Sequence, residues 1–192
     1  MRLPFLVLFI VYQSAALAQA YLTGLGGTAA LSRDASASAS PIASANYDAA
    51  VGPALSASAG YRFNDWLSAQ ARYGWNQNRI TVTELTALTF VERMQPAPQH
   101  SVAAELLVYF RPRGSRLRPY LSAGPAWSRV LAQNKPGLTV AVGIDVSLKS
   151  GWGVRYTFVE NMSANPFSAA LHPAGTHGLM NFQNQLGVIK FF

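Results

Sequence analysis

Between Leu138 and Lys149 the sequence alternates without a break. Leu138, Val140, Val142, Ile144, Val146 and Leu148 share one parity; Thr139, Ala141, Gly143, Asp145, Ser147 and Lys149 share the other. A period of two marks a strand whose two faces meet different surroundings. The next segment repeats the pattern, with Trp152, Val154, Tyr156 and Phe158 against Gly153, Arg155 and Thr157. Lys149-Ser150-Gly151 between them reads as a three-residue hairpin turn, with glycine where positive φ is wanted. Cross-strand partners point to the same side of a sheet. A two-residue loop would oppose Lys149 and Trp152 and mix the faces. A three-residue loop pairs Leu148 with Trp152, Val146 with Val154 and Ile144 with Tyr156, and sets Asp145 across from Arg155 on the polar face.

The alternation recurs over Val51–Phe63, Leu67–Asn76, Val102–Phe110 and Tyr120–Trp127. A glycine-rich strand at about Tyr21–Leu31, whose faces are ambiguous, and a last strand at about Asn181–Phe192 complete a set of eight. The connections Asn64-Asp65, Arg111–Leu117 and Lys149–Gly151 are short or modest, whereas Arg33–Tyr47, Asn78–Pro98 and Asn161–Met180 are long. The chain is 50% hydrophobic and only 12% charged, and it has no cysteine. Disulfides, thiolate metal sites and cysteine nucleophiles are therefore excluded. Beyond the N-terminal segment there is no apolar run of roughly eighteen residues, so no spanning helix. Lipid offers backbone groups no hydrogen-bond partner, so strands in it must close into a ring. The predicted fold is all-β: an eight-stranded antiparallel up-and-down transmembrane β-barrel over residues 21–192. Its apolar side chains face out and its polar ones face the lumen; short turns are periplasmic and long loops extracellular. Phe63, Trp66, Phe110, Trp152 and Phe192 by the short turns, and Tyr73, Trp75, Trp127 and Phe158 toward the long loops, suit two aromatic girdles.

Residues 1–20 read as a cleaved secretory signal peptide. Met1-Arg2 opens it, an apolar run from Leu3 to Tyr12 follows, and Ala16-Leu17-Ala18 and Ala18-Gln19-Ala20 both fit small-x-small cleavage. Cleavage is expected after Ala20, with Ala18 the runner-up. The net charge is +7. The cations are scattered except for Arg111, Arg113, Arg116 and Arg118, which read as a basic turn facing the periplasm or a solvated loop. Nucleic-acid binding is not expected. The Ala/Ser tract Arg33–Asn46 reads as a mobile external loop. Ile80–Val91 retains β-formers, which predicts a hairpin extending past the barrel, either sheltered or with an edge that could recruit a partner strand.

The signal peptide, the eight alternating strands and the ending Leu186-Gly187-Val188-Ile189-Lys190-Phe191-Phe192 together resemble the small eight-stranded bacterial outer-membrane β-barrel proteins. Arg118-Pro119-Tyr120-Leu121-Ser122-Ala123-Gly124 also resembles strand openings of that family. The resemblance implies an outer-membrane address in a Gram-negative-type bacterium and frequent lack of enzymatic activity. It also implies insertion from the periplasm by the barrel-assembly machinery, with Phe192, Val188 and Leu186 as the assembly signal. Lys190 departs from that pattern, as a snorkelling residue or through a shifted register.

An eight-stranded barrel is narrow enough for side chains to fill it, and buried charges must be paired. Asp145–Arg155 is the expected lumen ion pair, with Glu105 neutralised by Arg72 or another cation. The expected role is non-catalytic: structural, adhesive or narrow-pore, in a monomer embedded in outer-membrane lipid, without cofactor or metal. The alternative is a lipid-modifying enzyme resembling the lipid A deacylases, which carry a His-x-Ser-Asn motif on a lipid-facing strand. Here the corresponding stretch reads Glu160-Asn161-Met162-Ser163-Ala164-Asn165, so the histidine that would activate Ser163 is missing. His172 and His177 in the following loop read as solvated, and His100 lies at the start of another strand.

Overall fold

The computed structural model describes residues 19–32, 37–40, 43–85, 90–130, 133–164 and 179–192. Of the expected signal peptide, residues 1–18 lie outside them. The described chain forms β1 (Gln19–Leu31), β2 (Ala37–Ser40), β3 (Ala43–Ala50), β4 (Gly52–Arg62), β5 (Leu67–Leu85), β6 (Phe90–Tyr109), β7 (Leu117–Val130), β8 (Gln133–Ser147), β9 (Trp152–Ser163) and β10 (Leu179–Phe191). Eight of these are barrel staves, each antiparallel to its neighbours, and β1–β10 and β5–β6 pairing completes the ring.

The pairing fixes the barrel's dimensions. From Ala20 the register runs through Tyr61, Ala69, Leu106, Ala123, Val140, Glu160 and Phe182 and returns to β1 at Ala30, ten residues along. With eight strands about 4.8 Å apart and a rise of about 3.3 Å per residue, that stagger tilts the staves by about 41° and gives a backbone radius of about 8 Å. Such a cylinder has room inside for side chains and little else.

The faces divide as the alternation predicts. Leu55, Val102, Leu121, Val140, Val142, Tyr156, Leu186 and Val188 are exposed on the outside, while Arg72, Glu105, Asp145, Arg155, Thr157 and Gln185 are buried within. Turn chemistry sets the register of the third short connection. Leu148 N–H donates to the Trp152 carbonyl at 2.8 Å, and Ser150 and Gly151 adopt φ of 59° and 72°. Asp145 accordingly pairs with Arg155, and Val146 with Val154. At Asn64-Asp65 the Asn64 side chain accepts the Trp66 and Leu67 N–H groups, each at 2.8 Å.

Two inward aromatic rings lie across glycines. Tyr21 pairs with Gly60 and Tyr120 with Gly143, and a Cβ on either glycine would overlap the facing ring. On the ambiguous first strand, Tyr21, Thr23, Leu25, Ala29 and Leu31 face inward.

The fold departs from the sequence expectation in two places. The Ala/Ser tract is not simply a loop. It supplies β2 and β3, and β3 pairs with the outer part of β5, from Ala50–Arg79 to Ser44–Leu85. Between β3 and β4 the register against β5 slips by one residue, because Ala50 opposes Arg79 but Ala54 opposes Asn76. This bulge holds Val51, and Asn78 bridges it by donating to the Ala29 and Ala50 carbonyls at 2.9 and 2.8 Å. Second, Arg118 belongs to β7 rather than to a basic turn or solvated loop, and it is fully buried. The predicted hairpin extension is present as a continuous ladder, with β5 and β6 paired all the way to Leu85–Phe90, and β3 pairs along the other edge of β5. Lys190 is in register with the outward residues of β10; its Nζ donates to the Ser150 carbonyl at 2.8 Å and lies 5.0 Å from the Trp152 ring.

Candidate functional site in the barrel lumen

Three adjacent strands set Arg118, Asp145 and Arg155 side by side, because Asp145 is the register partner of both arginines. All three side chains point inward. Arg155 grips Asp145 with two parallel bonds, Nε to Oδ1 at 2.6 Å and Nη2 to Oδ2 at 2.8 Å. The Tyr109 hydroxyl donates to the same carboxylate at 3.0 Å, and Arg62 Nη2 approaches it at 3.5 Å. A bidentate guanidinium–carboxylate pair is the strongest common form of charged hydrogen bond. With both groups 1% exposed, the low local dielectric strengthens it further.

From this pair a chain of bonds climbs the lumen. Arg155 Nη1 donates to Gln70 Oε1 at 3.0 Å, as does the Tyr21 hydroxyl. Gln70 Nε2 donates in turn to Glu105. Glu105 meets Arg72 at 2.6 Å and accepts from Thr139. The sequence-predicted residues Arg72, Glu105, Asp145 and Arg155 are therefore one network with Gln70 as its link. Gln70 lies on the polar face of its strand in the sequence, but nothing in the alternation marks it as the residue that joins two ion pairs.

Above the charges the lining becomes neutral. Asn181 donates to Asn76 and Gln99 at 2.9 and 2.8 Å, Gln183 reaches Asn76, and Ser56 donates to Gln185 at 2.6 Å. Below, toward the short turns, aromatic rings close the floor. Tyr21 packs on Phe191 and Tyr109 on Tyr120, with centroids 6.0 and 5.5 Å apart. Arginines stack on the same rings: Arg62 lies 3.8 Å from the Phe191 centroid, Arg118 3.9 Å from Tyr109 and Arg155 4.8 Å from Tyr120. Arg62 shares the inward parity of Ser56 and Ser58, and Arg118 that of Tyr120. The parity argument that found Asp145–Arg155 extends to Arg62, and to Arg118 only once β7 is known to begin at Leu117.

The segment compared with a hydrolase motif turns its serine inward. Ser163 and Asn161 are buried in the lumen, not on the outer wall. His172 and His177 lie outside the described residues. His100 is on the outer face, where its Nδ1 shares a hydrogen bond of 2.7 Å with the Tyr73 hydroxyl. Leu186, Val188 and Phe192 form an outward stripe at the end of β10, and the Phe192 N–H donates to the Ala20 carbonyl at 3.0 Å.

The profile of the outer membrane protein beta-barrel domain matches residues 3–169. Among solved structures, the chain is similar to neisserial surface protein A at 19% identity, covering 90% of this chain and 97% of that one with a TM-score of 0.55. It is similar to the outer membrane protein OprG of Pseudomonas aeruginosa at 12% identity, with coverages of 91% and 94% and a TM-score of 0.57. The outer membrane protein AlkL in lipid bilayers is likewise similar at 12% identity, with coverages of 91% and 90% and a TM-score of 0.58. No curated protein matches the sequence.

Proposed function

The chain belongs to the outer membrane protein beta-barrel family and resides in the bacterial outer membrane. On that premise we propose that it is a non-catalytic integral barrel, closed along its axis, whose working surface is its extracellular end. The closed lumen carries this reading. Asp145, Arg155, Gln70, Glu105 and Arg72 bond to one another across the interior, and Tyr21, Tyr109 and Tyr120 fill the floor beneath them.

The apolar outer wall supports transmembrane placement. At a tilt of about 41° the 11 residues of β4 climb about 27 Å, which matches the roughly 25 Å apolar band of such barrels. Trp66, Phe110 and Trp152 are exposed at the short-turn end, and Tyr73 and Trp127 toward the other. Interfacial rings at both rims suit short turns in the periplasm. At the opposite end, β5 and β6 run to Leu85 and Phe90 and carry β3 along their flank. That extended sheet is the natural place for an external contact, in an adhesive or structural role.

Planar-bilayer recording of the refolded protein tests the closed lumen. A closed barrel gives no steady conductance, and a stable open level rejects the plug. Mass spectrometry of lipid A from cells with and without the protein tests the absence of catalysis; loss of an acyl chain would reverse that conclusion.

A further inference from the structure

The described lumen buries four guanidinium groups, Arg62, Arg72, Arg118 and Arg155, against two carboxylates, Glu105 and Asp145. Glu105 is matched by Arg72 and Asp145 by Arg155, each at 2.6 Å. Two cations remain, both at the short-turn end. Arg62 reaches Asp145 only at 3.5 Å, and its Nε has no partner among the described residues. Arg118 donates from Nε and Nη2 to the carbonyls of Arg111 and Asp65, and its Nη1 is likewise without a partner. Arg62 is 3% exposed and Arg118 0%. Both guanidinium groups lie on the Tyr109 ring, with Cζ 5.4 and 3.9 Å from its centroid, so they share one small volume.

A buried cation lacking a counter-charge is costly, and an unsatisfied N–H on it adds to that cost. Carbonyl dipoles orient Arg118 without cancelling its charge. The surplus also reaches the adjacent turn. Arg113 lies 3.7 Å from Asp65, yet desolvation and the charge on Arg62 still lower its pKa.

We propose that the short-turn end of the lumen binds a phosphate-class oxyanion between Arg62 and Arg118, with Arg113 in the turn beside them. The unpartnered Nε of Arg62 and Nη1 of Arg118 are directed donors, which suit the several oxygens of a tetrahedral oxyanion better than a spherical halide. The anion supplies the missing negative charge and accepts the orphan donors of both arginines. The site goes beyond the closed-barrel reading and stands whether or not the barrel conducts. An open conductance level therefore overturns the plug and leaves this proposal intact. The shared chemistry has two sources, inorganic phosphate or a phospholipid headgroup at the rim.

The test is thermal unfolding of the refolded protein in phosphate-free maltoside micelles, followed by tryptophan fluorescence. Sodium phosphate is titrated against sodium chloride at equal ionic strength, and phosphatidylglycerol is added to the micelles in a second arm. The expected result is a saturable rise in Tm whose half-saturation weakens about tenfold in Arg118→Gln, the loss of one charged contact. Arg129→Gln, changed on the outer face, leaves the titration as it was. If Arg118→Gln does not refold, Arg113→Gln in the turn weakens half-saturation about threefold. A rise with inorganic phosphate supports the site with a free anion as its source; a rise with phosphatidylglycerol alone supports it with a headgroup. No rise in either arm, or an equal rise with chloride, overturns it.

Discussion

Asp145 concentrates the electrostatics of the lumen in one side chain. It receives two bonds from Arg155, one from Tyr109 and the approach of Arg62. Replacing it by alanine leaves Arg155 buried without a counter-charge. Asp145→Ala is expected to cost about 3–5 kcal/mol of unfolding free energy, measured by urea unfolding in detergent. An unchanged midpoint would show that the pair contributes nothing. The role of Asp145 is legible in the amino-acid sequence, because one three-residue turn and the parity of two strands set it across from Arg155. That of Arg118 is not. It stands in a run of arginines before Pro119, and such a run reads as a turn. Alternation tells which face a residue takes only once the start of its strand is known, and β7 begins at Leu117, one residue earlier.

Among the elements, the staves are legible in the sequence, as is the continuation of β5 and β6 through Ile80–Val91, whereas β2 and β3 are not. Alternation identifies a stave because its two faces meet apolar and polar surroundings. The tract from residue 37 to 50 does alternate, but between alanine and small polar residues that mark no apolar face, so it reads as low complexity, although Ala37–Ser40 and Ala43–Ala50 pair as β2 and β3. Glycine placement is legible only in part. Gly143 fits the polar face of β8, but its purpose lies across the sheet, where the Tyr120 ring covers it. A methyl group there would also press on the Tyr156 carbonyl. Gly143→Ala is expected to cost roughly 1–3 kcal/mol by the same unfolding assay, as an overpacking defect. A neutral result would mean that the ring moves aside freely. The first strand also bears on processing. Gln19 and Ala20 pair with Arg62 and Tyr61, and the Ala20 carbonyl holds the Phe192 N–H. Cleavage after Ala20 would remove these contacts, whereas cleavage after Ala18 retains them. We therefore propose Gln19 as the mature N-terminus. Intact-mass measurement of the exported protein decides between the two sites.

For the whole molecule, closure with a ten-residue stagger and the separation of the two faces make a single statement. A soluble barrel of the same size would bury Val140, Val142 and Val188 and hydrate Arg72 and Asp145; this one does the reverse. Val142, 49% exposed near the middle of β8, tests the outer wall energetically. Val142→Arg is expected to destabilise the protein by about 2–4 kcal/mol in bilayers, as for a cation at the bilayer midplane. Chemical unfolding from liposomes measures it, and a negligible change would place that residue in water. The most direct measurement is a nitroxide scan. The chain contains no cysteine, so single cysteines can be placed at each position from Leu138 to Leu148 except Gly143 and Asp145 in bilayer-reconstituted protein. Collision rates with oxygen and with a water-soluble nickel chelate are then compared. The predicted result is a two-residue period, with oxygen favoured at Val140, Val142 and Ile144 and suppressed at Thr139, Ala141 and Ser147. Strong collision with the nickel chelate at Val140, Val142 and Ile144 would contradict the account.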